Sequence, residues 1–180
     1  MAHFSSVAMI FLLCVASSSY AVKTVDVNTI CKGVKNTSFC VTLLNSKPGT
    51  SRDLLSLANY TIDVTLANTT NTIKLLQSLI SKSGGDAEAK YHYNGCLSHF
   101  KAIAGMLGAA RYHMKSGEYD TVLEEAVAVR IHVDNCISGD SPGDPHYPYH
   151  DKSMLPKYAN MVDQVAQVFA AVMDFLNPAI

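Results

Sequence analysis

Apolar side chains return at helical spacing along most of this chain. From Leu54 they recur at Leu57, Ala58, Ile62, Leu66, Ile73, Leu76 and Ile80, a helical period sustained for about eight turns until Ser83-Gly84-Gly85 stops it. The Thr and Asn residues between them are read as the exposed face. A second stripe, Tyr93, Leu97, Phe100, Ala104, Leu107 and Met114, begins near Asp86 and breaks at Gly117. A third runs from about Tyr119 through Val122, Ala126, Val129 and Val133 to Cys136. The last starts near Pro156, an acceptable first-turn residue, and carries Tyr158, Met161, Val162, Val165, Val168, Phe169, Val172 and Leu176. No alternating strand pattern of useful length appears.

Two shorter pieces precede these helices: about Val25 to Lys35, and "FCVTLLN" after the turn Asn36-Thr37-Ser38. Pro48 and Gly49 interrupt, and Thr50 with Asp53 reads as an acidic version of a capping box for the next helix. Between the third and fourth long helices, "SGDSPGDPHYPYHDKS" is too rich in Gly, Pro and Asp to be helical and is read as a loop. The expected fold is all-α: an antiparallel four-helix bundle over residues 50–180 with an N-terminal helical hairpin over 22–48.

The N-terminus adds a compartment. "VAMIFLLCVA" (Val7 to Ala16) is a short apolar run, and Ser19 and Ala21 after it have the small-residue spacing of a signal-peptidase site, so residues 1–21 are read as a signal peptide. The run is too short to span a bilayer, and no later segment stays apolar for about 18 residues. Removing it leaves one domain, residues 22–180, in a chain of 180 residues that is 48% apolar. The net charge of −1, without long runs of one sign, argues against a nucleic-acid partner.

Losing residues 1–21 also removes Cys14, leaving Cys31, Cys40, Cys96 and Cys136. An even count in a secreted chain reads as two disulfides. Zinc is the competing reading, but neither pair has knuckle spacing and no His completes a site. Cys96 lies 21 residues before Gly117 and Cys136 lies 19 after it, so at about 1.5 Å per residue both stand roughly 30 Å from the turn, side by side on antiparallel helices. A Cys96–Cys136 bridge follows, and Cys31 is left to pair with Cys40 across the hairpin. Asn36, Asn59 and Asn68 head Asn-X-Thr/Ser triplets that a secreted chain could glycosylate.

Catalytic chemistry has little support. There is no nucleophile elbow, phosphate loop or zinc helix motif. His92 and His99 lie on a similar helix face, but exposed or interhelical histidines explain them better than metal ligands do. Asp144, His146, His150 and Asp151 could reach a common ion, although a polar loop with incidental charges is the better reading. Met106, Met114, Met161 and Met173 fall on core stripes and are read as packing residues. No cofactor and no metal is implied. A rigid, cross-linked helical bundle with polar faces acts by binding.

Two cysteines nine residues apart in a hairpin, "SRDLLSLANYTIDV" opening the first long helix, "MKSGEYDTV" between two long helices and cysteines forty residues apart resemble the plant pectin methylesterase inhibitor and invertase inhibitor family. The resemblance runs from Ile30 to about Leu176. It implies a four-helix bundle with a hairpin, each with its own disulfide, and a non-catalytic protein of the cell wall or apoplast that binds a plant carbohydrate enzyme one to one over its substrate cleft. Pectin methylesterase is the expected target and acid invertase the alternative. Ser116, Gly117, Glu118 and Tyr119 resemble the turn typical of the esterase inhibitors, and the Pro-Lys-Phe turn frequent in invertase inhibitors is absent.

By the same resemblance, Asn135 stands where the family commonly has an enzyme-facing Thr, with Ile137 and Ser138 where acidic residues often follow the cysteine. Glu118 of the turn is a further expected contact, and Ser98 and Lys101 are candidates because they lie off the apolar stripe of the neighbouring helix, where plain solvated positions are the competing reading. With six histidines after residue 21, affinity is expected to vary between about pH 5 and 7.5. Outside this family, a secreted carrier of an apolar ligand would need a large cavity, which the bulky core stripes oppose, and an enzyme built on the His-Asp loop is the remotest reading.

Overall fold

A computed structural model describes residues 25–139, 147 and 149–177; the expected signal segment with Cys14, and Asp144 and His146 of the loop, lie outside them. Among the described residues the chain forms six helices: α1 Val27–Cys31, α2 Thr37–Asn45, α3 Leu54–Lys82, α4 Ala87–Ser116, α5 Tyr119–Ser138 and α6 Leu155–Leu176. Helices α3 to α6 close a ring in which each packs on its two neighbours, and the α1–α2 hairpin docks on α6. This is the all-α bundle with an appended hairpin.

Local chemistry sets the boundaries. Asp53 itself caps α3: Oδ1 accepts the Ser56 amide at 2.8 Å, and the Ser51 hydroxyl donates to Oδ2. The helix therefore starts later than a Thr50–Asp53 box would have it, and the Ser51 bond, ahead of other causes, holds the Asp53 carboxyl below its ordinary pKa. Asp86 caps α4 through the Ala89 amide at 2.9 Å. Gly117 ends that helix at φ 76°, a left-handed conformation that favours glycine. The first hairpin helix is shorter than expected. After Cys31 the backbone leaves the helix at Lys32 to Asn36, where Gly33 weakens it and Val34 turns inward to become buried.

Two disulfides staple the fold. Cys31–Cys40 closes the hairpin with Cα atoms 5.6 Å apart, and Cys96–Cys136 joins α4 to α5 with Cα atoms 4.5 Å apart. All four cysteines are buried. Asn36 ties the hairpin to the bundle. Its Oδ1 caps α2 through the Phe39 amide at 3.2 Å, while Nδ2 donates to Gln164 of α6 at 2.8 Å.

The stripe of α5 is buried from Val122 to Cys136, as its spacing predicts, and only Tyr119 at its start is half-buried. That of α3 is not as expected. Thr61, Thr65, Thr69 and Thr72 are fully enclosed, while Leu66, Ile73 and Ile80 are only half-buried. Thr hydroxyls can enter a helix interface by bonding back to a preceding carbonyl, and Thr61, Thr65 and Thr72 do so to Ala58, Thr61 and Asn68. In α4 the buried line takes His92, Cys96, Ile103 and Ala110, moving Leu97 and Ala104 to the flank. Met114 and Met173 are core residues, Met106 is half-buried, and Met161 and Tyr158 stand exposed on α6.

Candidate partner-binding face

Antiparallel packing of α4 on α5 makes a long seam with a cluster of polar contacts towards each end. At the Gly117 end, His113 Nδ1 contacts Glu118, and Nε2 lies 3.9 Å from Glu125. Glu118 starts α5 without capping it, since its carboxylate turns to His113. Burial raises the Glu125 pKa, with His113 opposing the shift. At the other end, His99 Nδ1 and His132 Nδ1 meet at 3.0 Å across the seam, about one turn from the Cys96–Cys136 bridge.

Beyond that bridge the segment leading into α6 folds back over α4. His92 is 1% exposed, stacks on Tyr149 with ring centroids 4.4 Å apart, and has Nε2 at 3.5 Å from Asp151 Oδ2. Its Nδ1 has no hydrogen-bond partner. Desolvation lowers the His92 pKa, and the Asp151 carboxylate works against that. Asp151 Oδ1 accepts from Tyr93 at 3.2 Å and from the Ser153 amide at 2.7 Å. Burial pushes the Tyr93 hydroxyl up to about 12. Asp151 is thus committed to an internal contact and His150 is exposed, so these two do not form half of an ion site.

The expected partner contacts are not one patch. Ser98 and Lys101 are exposed on α4, and Asn135 is half-buried on α5 beside the disulfide. Glu118 opens the same helix, about 25 Å away at 1.5 Å per residue. Of the glycan acceptors, Asn36 and Asn59 are exposed and Asn68 is half-buried. The amides of Asn59 and Asn68 donate to Leu55 and Val64, each at 2.8 Å.

Sequence reasoning missed the His92–Asp151 contact, the His99–His132 pair and a cleft of about 540 Å³ between α5 and α6. Val127, Ile131 and Pro156 give that cleft apolar walls, and Arg130 Nε donates to Asp163 at 3.0 Å. A usable signal was the four-residue spacing of His92 and Cys96. It places the histidine one turn from the covalent staple on the same inward face.

Residues 25–172 match the family described as plant invertase/pectin methylesterase inhibitor. "Pectinesterase inhibitor 1" of Arabidopsis thaliana is 35% identical over 130 residues, 72% of each chain, and "Pectinesterase inhibitor" of Actinidia deliciosa is 30% identical over 97 residues, 53% of this chain and 52% of that protein. A crystal structure of a mutant pectin methylesterase inhibitor from Arabidopsis superposes with a TM-score of 0.70 at 28% identity, covering 82% of this chain and 95% of that one. A second inhibitor structure from Arabidopsis thaliana gives 0.62 at 26% identity, covering 85% and 97%. With its paired disulfides, its hairpin and this match over most of its length, the chain belongs to the plant invertase/pectin methylesterase inhibitor family.

Proposed function

We propose that this protein inhibits a pectin methylesterase, binding one enzyme molecule through the outward face of α4 and α5 laid over the substrate cleft. It is an inhibitor and not an enzyme, as its relatives are named. The observation that carries the target is the 35% identity, over 72% of the chain, to a relative named pectinesterase inhibitor. Physical chemistry supports the mode of action. Two long helices joined by a buried disulfide present their outward side chains from a fixed backbone, so docking costs little backbone entropy. Ser98 and Lys101 are exposed for contact, and Asn135 has an amide able both to donate and to accept.

The proposed site of action is the cell wall, reached after removal of residues 1–21. Among the described residues no helix is long and apolar enough to cross a membrane. Secretion would also bring Asn36, Asn59 and Asn68 to the glycosylation machinery. The deciding experiment mixes the oxidised protein with a plant pectin methylesterase and, separately, with an acid invertase at acidic pH. Loss of esterase activity at one equivalent is the expected result, and inhibition of invertase alone would replace the target.

A further inference from the structure

We propose that His99 and His132 form a chelating site for a divalent late-transition metal, Cu²⁺ in the first place, which clamps α4 to α5. The two Nδ1 atoms come from different helices and converge to 3.0 Å in a part-buried position. With metal–nitrogen bonds of about 2.0–2.1 Å, adjacent positions around one ion at 90° lie about 2.9 Å apart, and tetrahedral positions about 3.4 Å. The separation therefore fits the tetragonal geometry of Cu²⁺ or Ni²⁺ better than tetrahedral Zn²⁺. The disulfide supplies preorganisation. His99 follows Cys96 and His132 precedes Cys136 by about a turn, and the bridge holds the backbones at 4.5 Å between Cα atoms. An ion would therefore find both imidazoles nearly in place.

Without metal, one Nδ1–H donates to the other Nδ1. On binding, both Nδ1 lone pairs go to the ion, and the donor ring moves its hydrogen to Nε2 by exchange with water, so no net proton is released. No cluster of three His, Cys, Asp or Glu suited to a metal occurs among the described residues, so these residues offer the ion a two-point clamp, with its other positions open to water.

Thermal unfolding of the oxidised protein with CuCl₂, NiCl₂ or ZnCl₂ tests this, each variant being compared with its own metal-free midpoint. We expect Tm to rise by about 3 °C or more with saturating Cu²⁺ and less with Zn²⁺, and the rise to vanish in both His99→Ala and His132→Ala. Cu²⁺ electron paramagnetic resonance should show two nitrogen donors in the unsubstituted protein and lose that signature in either variant. No rise in the unsubstituted protein, or a rise and nitrogen pattern unchanged in both variants, would overturn the proposal.

Discussion

His92 of α4 and Asp151 of the segment before α6 face each other at 3.5 Å with side chains only 2% and 5% exposed. Tyr149 stacks on the imidazole, and the disulfide is close by, with Cys96 Sγ 4.0 Å from Nε2. Burial holds the His92 pKa down in the folded protein. The unfolded chain takes up this proton near pH 6.5, whereas the folded chain resists it until lower pH. Stability is therefore lost as pH falls below about 6.5. Thermal unfolding between pH 7.5 and 5 should show Tm falling in the unsubstituted protein and falling less in His92→Asn. Asp151→Asn keeps an acceptor for Tyr93 and Ser153 but removes the charge that favours protonated His92, and should steepen the fall. Equal slopes in all three would dismiss this pair as the origin.

The two disulfides should contribute unequally. Cys96–Cys136 closes a loop with a sequence separation of 40, and Cys31–Cys40 one of 9. Loop-closure entropy then assigns about 4 kcal/mol to the first and about 2.7 kcal/mol to the second. Denaturant unfolding of the Cys96→Ser/Cys136→Ser and Cys31→Ser/Cys40→Ser proteins measures both. A larger loss from the hairpin bridge would mean that native packing, not chain entropy, sets the order.

Much of this architecture is legible along the chain because it is local. Gly117 marks a helix end since its backbone is left-handed there, and the α5 stripe is buried from Val122 to Cys136. Misreadings occur where tertiary packing overrides residue type. Polarity assigns Thr61, Thr65, Thr69 and Thr72 to the surface, yet all four are buried, and in Thr61, Thr65 and Thr72 the hydroxyl bonds within its own helix and so can line an interface. The contacts His92–Asp151 and His99–His132 join residues on different elements, and no periodicity along one element reports them. Asn135 and Glu118 follow from family resemblance, and Ser98 and Lys101 from their place off the apolar stripe of α4; a contact with another protein leaves no periodicity in the chain that makes it.

If α4 and α5 cover the substrate cleft, truncating their contacts should weaken inhibition without affecting the fold. Asn135 is half-buried beside the rigid disulfide end of α5, where a lost hydrogen bond leaves a partner group unsatisfied. Asn135→Ala should raise the inhibition constant by about 10-fold. Ser98→Ala and Lys101→Ala, at exposed positions, should each cost about 3-fold or less. Glu118→Ala separates the two ends of the seam. An effect as large as that of Asn135→Ala would extend the contact along the whole helix. Unchanged inhibition in all four variants, with unchanged Tm, would move the interface to another face.

Thr69 gives the sharpest test of the core. Its hydroxyl is fully buried and has no hydrogen-bond partner, unlike those of Thr61, Thr65 and Thr72 on the same stripe. A buried hydroxyl without a partner loses its hydration and receives nothing in return, a penalty of about 1–3 kcal/mol. Thr69→Val replaces it by a methyl group of nearly the same size and should stabilise the protein by about 1 kcal/mol, raising Tm by roughly 2–4 °C. Thr65→Val is the control. Its hydroxyl donates to the Thr61 carbonyl at 2.7 Å, so losing that bond offsets the apolar gain and stability should stay within about 0.5 kcal/mol. Equal stabilisation by both substitutions would show that the stripe favours apolar residues generally; destabilisation by Thr69→Val would show that its hydroxyl is satisfied in solution, for example by a buried water.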